Sequence, residues 1–309
     1  MANTLTAAVL ADVHGNYLAL KACLSYAKKR GVKHYLFLGD YITDHAFPLR
    51  VMEQLYEMER EYDCRFIRGN REEYMIDYRG NGGRQPDGAV WGEGSAQGAL
   101  LHCYENLTPK DIDWFEKMPI YDEWRPEGAP PVSLCHGSPQ RVRGAMRGEP
   151  DFFKELPQLG PDLLLKGHNH KHFCLAYQGK RVVCAGSVGN PIARRARLGK
   201  PEATELAKSA QMLFLRLEKG CWALEYVKVP YNWQGAIENL EISGLSRRAP
   251  VWAAMLRYNV LTGCDPFMVV PSRAAELYHE ASGITALWHQ VPEPYWRQAA
   301  EEFGVPMFR

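Results

Sequence analysis

The chain has 309 residues, 46% hydrophobic and 24% charged, which is typical of a globular protein with enough apolar material for a core. Its formal net charge is +1, so no overall basic field indicates a nucleic-acid or membrane surface. The N-terminus carries no charged, signal-like leader and no stretch of 18 apolar residues occurs, so we expect a cytoplasmic protein that does not enter a membrane. The eight cysteines are scattered without a Cys-x-x-Cys pair, which predicts reduced thiols.

The N-terminal part of the chain alternates between apolar segments and amphipathic ones. Strands are predicted at 5–11, 35–38 and 64–67, and helices begin after Asn16 and at Pro48. A strand, a helix and a second strand within about forty residues form a βαβ unit. Such a unit implies a parallel pair of strands with a right-handed crossover.

Residues 80–98 are rich in glycine and lack any period, which predicts a long surface loop. A lid over a site and a disordered segment are the two interpretations of this loop. Helices are predicted at 99–105 and after the capping sequence Thr108-Pro109-Lys110-Asp111. Further strands are predicted at 132–136 and 162–166, and hairpins at 173–185 and 212–227.

The order of these elements predicts an α/β (α+β) fold. A βαβ first half and an increasingly antiparallel second half indicate a four-layer α/β/β/α sandwich, in which two mixed sheets are flanked by helices. Beyond Pro230 the pattern is helical. We therefore expect one large domain over 1–230 and a C-terminal helical appendage over 231–309. The appendage either packs on the core or serves as a dimerisation or substrate-specificity element, so a homo-oligomer is a further expectation.

Side chains of the types that bind metal ions follow the predicted strands. Each of them alone is more often a turn or core residue, but carboxyl ends of parallel strands meet at one edge, so together they indicate one site. Carboxylate, imidazole and carboxamide ligands suit Mn, Fe, Zn or Ni better than Ca, and a pair of such ions can clamp an in-line phosphoryl displacement. The candidate metal ligands are Asp12, His14, Asp40, Asn70, His136, His168 and His170.

These residues lie in short blocks whose order and spacing resemble the five signature blocks of the calcineurin-like metallophosphoesterase family. The blocks are Asp12-Val13-His14, Gly39-Asp40, Gly69-Asn70, Cys135-His136-Gly137 and Gly167-His168-Asn169-His170. The later Gly186-Ser187-Val188-Gly189-Asn190-Pro191 is similar to a block of the compact bacterial and archaeal branch, which includes phosphodiesterases and symmetrical dinucleoside-polyphosphate hydrolases. The resemblance covers roughly residues 5–229 and implies a pair of packed β-sheets flanked by helices.

The resemblance also implies a mechanism. It implies hydrolysis of small phosphodiester, phosphoanhydride or phosphomonoester substrates by a metal-bound hydroxide, without a covalent phosphoenzyme. The implied ligands of one metal ion are Asp12, His14 and His170, those of the other are Asn70, His136 and His168, and Asp40 bridges the two. The implied catalytic residues are Asp40, Asn70, Arg71 and His136, and the candidate substrate-binding residues are Arg71, Asn169 and Arg194.

One position departs from the family pattern. Many members have a histidine after the asparagine, placed to protonate the leaving alcohol, whereas this chain has Arg71. Arginine stays protonated near pH 7, so it cannot be that acid, although its fork can bind phosphate oxygens. Substrates whose leaving groups need little protonation are therefore favoured. His45 is either a substitute acid or a surface residue, and Glu72 either orients this turn or caps the helix after it.

Basic residues follow the last block, and either face a phosphate-rich substrate or lie in a solvated loop. They are Arg194, Arg195, Arg197 and Lys200. Three other functions remain open at this point. A serine/threonine-type protein phosphatase is disfavoured by the missing histidine, and a non-catalytic partner-binding scaffold is disfavoured because no ligand position is lost. A nuclease is disfavoured by the nearly neutral charge.

Overall fold

The computed structural model describes residues 5–144, 156–199 and 201–308. In chain order its strands are β1 (Thr6–Leu10), β2 (His34–Phe37), β3 (Asp63–Phe66), β4 (Tyr121–Trp124), β5 (Val132–Cys135), β6 (Leu163–Lys166), β7 (His172–Tyr177), β8 (Lys180–Ala185), β9 (Arg194–Arg195), β10 (Ser209–Glu218), β11 (Cys221–Pro230) and β12 (Cys264–Asp265). Its α-helices are α1 (Tyr17–Lys29), α2 (Pro48–Glu61), α3 (Asn70–Gly80), α4 (Gly98–Glu105), α5 (Pro109–Lys117), α6 (Trp233–Ile242), α7 (Leu245–Arg248), α8 (Pro250–Thr262), α9 (Val269–Ser282) and α10 (Glu293–Glu302).

Two five-stranded sheets form the centre of the molecule. The first has the order β11-β10-β1-β2-β3, with β1, β2 and β3 parallel, β10 antiparallel to β1, and β11 antiparallel to β10. The second has the order β4-β5-β6-β8-β7, with β5, β6 and β8 parallel and an antiparallel strand at each edge. Both sheets are mixed and helices flank them, so the predicted fold class is confirmed.

Alternate residues of β1 fill two different cores. Val9 packs between the sheets in one buried cluster with Leu36 of the first sheet and Leu134 of the second. Leu10 belongs instead to the cluster between the first sheet and its helices, where Leu20 of α1 is buried. Because β1 is covered on both faces, it is apolar throughout rather than alternating.

The remaining face, on the outside of the second sheet, carries a smaller cluster. Leu156, from a 3-10 helix at Leu156–Gln158, packs there with Leu164 and Val182. The predicted strands and hairpins are confirmed within a few residues, whereas β4 was missed. Its sequence, Tyr-Asp-Glu-Trp, buries only Trp124 and has no apolar alternation, because β4 is an edge strand.

The C-terminal helices enclose a hydrophobic cluster of their own. Ten of the thirteen residues of α8 are buried, so this helix lacks a polar face and forms the centre of the cluster. Ala46, Ala99 and Ala196 also belong to the cluster, and β12 pairs in parallel with β9. Since residues before 230 share this core, the domain division at residue 230 stays a prediction.

Residues 81–97 contain neither a helix nor a strand, which agrees with the predicted long loop. The loop is anchored at its far end, where Ser95 Oγ donates a hydrogen bond of 2.7 Å to Glu293 Oε1 of α10. Among the described residues no helix is long and apolar enough to cross a bilayer.

Candidate metal centre

The candidate ligands follow the carboxyl ends of five strands, β1, β2, β3, β5 and β6. Within the described chain, two groups of acidic and imidazole side chains bring their ligand atoms within 4.8 Å of one another. One group is Asp12, His14 and His170, and the other is Asp12, Asp40 and His136. Together we call these five side chains the metal cluster.

Distances within the metal cluster are short enough for shared ions. Nε2 of His14 lies 2.9 Å from Nε2 of His170, and Oδ1 of Asp12 lies 3.5 Å from the latter. Oδ2 of Asp40 lies 3.7 Å from Nε2 of His14 and 3.4 Å from Nε2 of His136. Asp40 therefore spans both groups, the position expected of a bridging ligand. Asp12 spans them as well, which the sequence did not indicate.

The other two candidate ligands lie at the edge of the metal cluster. The His168 ring centroid is 5.2 Å from that of His136, and the His168 backbone N–H donates to Asp12 Oδ2 at 2.9 Å. Asn70 is the first residue of α3, next to Arg71, whose backbone N–H donates to Asp40 Oδ1 at 2.8 Å.

Close approach of the turns requires glycine at two positions. A Cβ on Gly39, which has a φ of +87°, would lie 2.8 Å from Nδ1 of His136, and a Cβ on Gly69 would lie 2.3 Å from Oδ1 of Asp40. The two glycines of the Gly-Asp and Gly-Asn blocks thus bring three strand ends into contact.

Backbone strain is concentrated in the same turns. Five of the candidate ligands have φ values between 50° and 69°, a region that L-residues rarely adopt, at a cost of order 1–3 kcal/mol each. The surrounding hydrogen bonds hold them there, since the N–H groups of two of them donate to the carbonyls of Gly39 and Asp40 at 3.0 and 2.9 Å. Strain held in this way is typical of functional sites. The five residues are Asp12, His14, Asp40, His168 and His170.

Three histidines of the metal cluster are oriented in the same manner. The Nδ1–H of His136 donates to the carbonyl of Leu38 at 2.7 Å, and that of His170 donates to the carbonyl of Asn190 at 2.8 Å. Nδ1 of His14 lies 2.9 Å from Oδ2 of Asp44. With Nδ1 engaged, each ring directs Nε2 at the cluster, the arrangement that fixes the tautomer of metal-binding histidines.

Two ligand atoms are buried without a partner. Nε2 of His136 and Oδ1 of Asn70 have no hydrogen bond within the described residues. Each unpaired buried atom costs about 1–3 kcal/mol. A cation would satisfy both atoms, and the nitrogen and oxygen donor set is compatible with a divalent metal site.

The electrostatic environment at the metal cluster shifts the pKa values of two neighbouring histidines in opposite directions. Burial opposes protonation of His136, but the Asp40 carboxylate outweighs it and raises the pKa of His136 to about 9. Burial, reinforced by the charge on His136, lowers the pKa of His168 to about 2. Although burial raises the pKa of Asp40, the adjacent imidazoles and Arg71 hold it well below its usual range. The anionic cluster thus retains a proton that a bound cation can replace.

Arg71 spans two buried carboxylates at the rim of the metal cluster. Its Nε lies 3.9 Å from Oδ2 of Asp40, and its Nη2 lies 3.5 Å from Oδ2 of Asp44. The sequence analysis missed Asp44, although the polar run Thr43-Asp44-His45 after the Gly-Asp block was the available signal. Asp44 contacts both His14 and Arg71 and so connects a candidate ligand with the candidate phosphate-binding group.

His45 and Glu72 are both buried. Nε2 of His45 lies 3.0 Å from Oδ1 of Asn190, and burial lowers the pKa of His45 to about 4, so it is neutral near pH 7. His45 is therefore not a surface residue, and near pH 7 it carries no extra proton with which to act as the substitute acid. Glu72 accepts hydrogen bonds from the N–H groups of Gly69, Asp40 and Tyr41 at 2.8–2.9 Å. It therefore ties the turn after β3 to the turn after β2, as well as starting α3.

The remaining candidate residues differ in their surroundings. Asn169 is buried, its Oδ1 accepts from the ammonium of Lys166, and its Nδ2 has no partner within the described residues. Arg194 lies in β9 with its Nη2 3.0 Å from Oε2 of Glu202, so the contacts of the described chain link it to Glu202 rather than to the metal cluster. Lys200 lies outside the described residues.

The block 186–191 borders the metal cluster. The N–H of Gly189 donates to the Asp12 carbonyl at 2.9 Å, and a Cβ on Gly189 would lie 2.0 Å from the Val13 carbonyl oxygen. The C-terminal helices support this block, because Nδ2 of Asn259 in α8 donates to the Pro191 carbonyl at 3.1 Å. Sequence patterns gave no indication of that contact.

The two-sheet α/β fold, with carboxylates and imidazoles gathered at its strand ends, fits the class of metal-binding proteins. Residues 5–172, more than half of the chain, match the model of the calcineurin-like phosphoesterase family, and the chain belongs to that family. Family membership supports a metal-dependent phosphoesterase.

Three known proteins of similar sequence or structure, from archaea and a bacterium, illustrate the likeness. The chain is 23% identical over 250 residues to the uncharacterized protein MJ0912 of Methanocaldococcus jannaschii, covering 79% of this chain and 94% of that protein. The hypothetical protein PH1004 of Pyrococcus horikoshii OT3 matches with a TM-score of 0.63 and 19% identity, over 84% of this chain and 99% of that one. A metallophosphoesterase from Sphaerobacter thermophilus matches with a TM-score of 0.57 and 18% identity, over 82% of this chain and 100% of that one. These likenesses show the fold.

Proposed function

We propose that the chain is a phosphoesterase that binds two divalent metal ions and hydrolyses small phosphodiester, phosphoanhydride or phosphomonoester substrates. The observation that carries the proposal is the convergence of two ligand groups that share Asp12 and adjoin Asp40, with the Nε2 atoms of three histidines directed into the metal cluster. Two divalent ions supply positive charge to the phosphoryl oxygens and lower the pKa of an attacking water.

The proposed division of ligands between two ions keeps the first group together and places Asn70 and His168 with His136 of the second. Asp12, His14 and His170 would hold one ion, and Asn70, His136 and His168 the other, with Asp40 between them. The unpartnered atoms of His136 and Asn70 support the second set. Mn, Fe, Zn and Ni all suit this mixture of oxygen and nitrogen ligands.

Arg71 binds non-bridging phosphate oxygens in this proposal. Its side chain is 20% exposed at the rim, and its guanidinium lies near Asp40 and Asp44, so little side-chain entropy is lost when substrate binds. It holds its proton and does not protonate the leaving group. The unpartnered Nδ2 of Asn169 supports a second donor to phosphate. Since His45 is neutral and buried, substrates with acidic leaving groups are favoured.

Metal content and hydrolysis measured together test the proposal. We expect purified protein to carry about two transition-metal ions per chain, the number that a bimetal clamp needs. Hydrolysis of bis(p-nitrophenyl) phosphate, p-nitrophenyl phosphate or diadenosine tetraphosphate should be lost on chelation, return with Mn²⁺ and be absent in Asp40→Asn. Asparagine keeps the size of the side chain and an oxygen to accept from the Arg71 N–H.

Asp162→Asn is the matched control, since Asp162 is 86% exposed and remote from the ligand turns. Hydrolysis that persists in metal-free protein would contradict the proposal. Absence of both metal and turnover, even with added Mn²⁺, would favour a partner-binding scaffold. Preference for a phosphoserine peptide over every small ester would favour a protein phosphatase.

A further inference from the structure

A cavity of about 330 Å³ lies along α3, the helix that begins with Asn70 and Arg71. Its walls come from four parts of the chain: α3, the loop 81–97 with the start of α4, the segment after β5 that carries Arg143, and the 3-10 helix Trp288–Gln290. We call it the aromatic pocket. The lining side chains on which the argument rests are Tyr74, Trp91, Trp288, Arg84, Arg143 and Gln97.

Tyr74 connects the pocket to the metal cluster. Its ring centroid is 5.7 Å from the guanidinium carbon of Arg71, which itself contacts Asp40. Along α3, Tyr74 and Tyr78 follow Asn70 by about 6 and 12 Å of axial rise. A substrate with its phosphate at Arg71 can therefore extend along α3 into the pocket.

The pocket has a rigid aromatic wall. The rings of Tyr78 and Trp91 are stacked at 3.8 Å with an interplanar angle of 2°, and Tyr104 packs edge-on against Tyr78 at 4.9 Å. The Trp91 N–H donates to the Tyr78 hydroxyl at 3.2 Å. In contrast, Trp288 is 39% exposed and keeps part of its ring available to a ligand.

Polar groups that can bind the edge of a flat ligand lie around these rings. Arg143 has its guanidinium carbon 4.5 Å from the Tyr74 ring centroid, and Arg84 donates to the Gly88 carbonyl at 2.9 Å. Gln97 adds a carboxamide to the lining. Aromatic faces with guanidinium and amide groups at their edges suit a heterocyclic base better than an alkyl chain or a sugar alone.

The walls are joined to one another without a ligand. Nε2 of His289 lies 3.0 Å from Oδ2 of Asp87 in the loop, and the N–H of Gly94 donates to the Arg248 carbonyl at 2.7 Å. Because loop and C-terminal helices are fixed together, little ordering is needed when the pocket binds a ligand.

We propose that the aromatic pocket binds the nucleoside part of a nucleotide ester, whose phosphate lies at the metal cluster. The proposal rests on the function proposed above and names its substrate class. The volume is at the low end of the range of about 300–1,000 Å³ for small-molecule sites, which fits one base with its ribose and not a folded phosphoprotein.

Two substrates with the same leaving group test the proposal. We expect kcat/KM for the p-nitrophenyl ester of thymidine 5′-monophosphate to exceed that for methyl p-nitrophenyl phosphate at least tenfold, roughly the worth of one stacked base. Trp288→Ala should lower this ratio about tenfold, and Trp288→Phe, which keeps a ring, should restore most of it. Leu287→Ala is the matched control, because Leu287 is a 60% exposed neighbour that does not line the pocket.

A ratio near one in the wild type, or a ratio unchanged in Trp288→Ala, would overturn the proposal. If neither ester is hydrolysed, the proposed function fails, and calorimetry with thymidine 5′-monophosphate then tests the pocket by itself. If thymidine 5′-monophosphate binds about tenfold more weakly to Trp288→Ala than to the wild type, the result supports nucleoside binding in the aromatic pocket. Equal binding by both proteins, or no binding by the wild type, rejects it.

Discussion

The metal cluster and the aromatic pocket are neighbours built in opposite ways. Every candidate ligand of the cluster follows a strand directly, so the topology of two sheets brings the ligands together. The pocket instead combines α3, a loop without secondary structure and a 3-10 helix near the end of the chain. The comparison indicates that the positions of the candidate metal ligands depend on the two sheets. The proposed substrate selectivity depends instead on the segments that surround the sheets.

The two regions also differ in energy. The cluster holds buried charges, unpartnered ligand atoms and strained backbone, all of which reduce stability unless an ion is bound. The pocket wall is a packed aromatic stack with exposed polar groups at its rim. A change in the cluster should therefore affect every substrate, and a change in the pocket only those that reach it.

Replacing Asp12 should have the largest effect. Asp12→Asn removes a charge shared by both ligand groups, so kcat/KM should fall at least about 10³-fold for nucleoside and methyl esters alike, with loss of metal. Steady-state kinetics and metal analysis measure this, and a circular-dichroism melt checks the fold. Loss confined to nucleoside esters would contradict the division between cluster and pocket.

Two tryptophans of the C-terminal region separate packing from recognition. Trp296 is 1% exposed in the helical core, so Trp296→Ala should cost about 3–5 kcal/mol of unfolding free energy. Trp288 is 39% exposed, so Trp288→Ala should change the free energy of unfolding by about 0.5 kcal/mol or less. Urea denaturation measures both, and equal losses would mean that Trp288 is a core residue.

Arg71 lies between the two regions and should have an intermediate effect. Arg71→Gln should lower kcat/KM about tenfold to hundredfold for both esters, the worth of a hydrogen bond to a charged group. Lysine should restore little, since it cannot span Asp40 and Asp44 with a planar fork. Arg79→Gln, on the same helix and paired with Asp113, is the control. Full activity of Arg71→Gln would remove Arg71 from phosphate binding.

The smallest expected effect is on acid stability. His102 of α4 is buried, its Nε2–H donates to the Ala46 carbonyl at 2.8 Å, and burial lowers its pKa below the ordinary 6.5. The unfolded chain thus binds the proton more readily than the folded one below pH 6.5. The free energy of unfolding should therefore fall by at most about 1.4 kcal/mol for each pH unit below 6.5. Above that pH, His102 should contribute nothing to the pH dependence. Urea midpoints between pH 5 and 8 should show a shallower slope for His102→Gln, and an unchanged slope would contradict the prediction.

The sequence located the strand ends and the turns that form the metal cluster. An apolar run that stops at Gly39 and Asp40 is visible locally, and βαβ order directs parallel strands to one edge. The two mixed sheets were therefore predictable, and so was the proximity of the polar turns.

Contacts between distant segments were not predictable in the same way. Asp44 beneath His14, the three N–H groups on Glu72, and Asn259 against Pro191 leave no local pattern, because their partners are chosen by packing. The aromatic pocket is the clearest example, since Trp91 and Trp288 are far apart in the sequence and yet both line it. A period of apolar residues specifies which face of a segment is buried, but only tertiary packing decides what that face contacts.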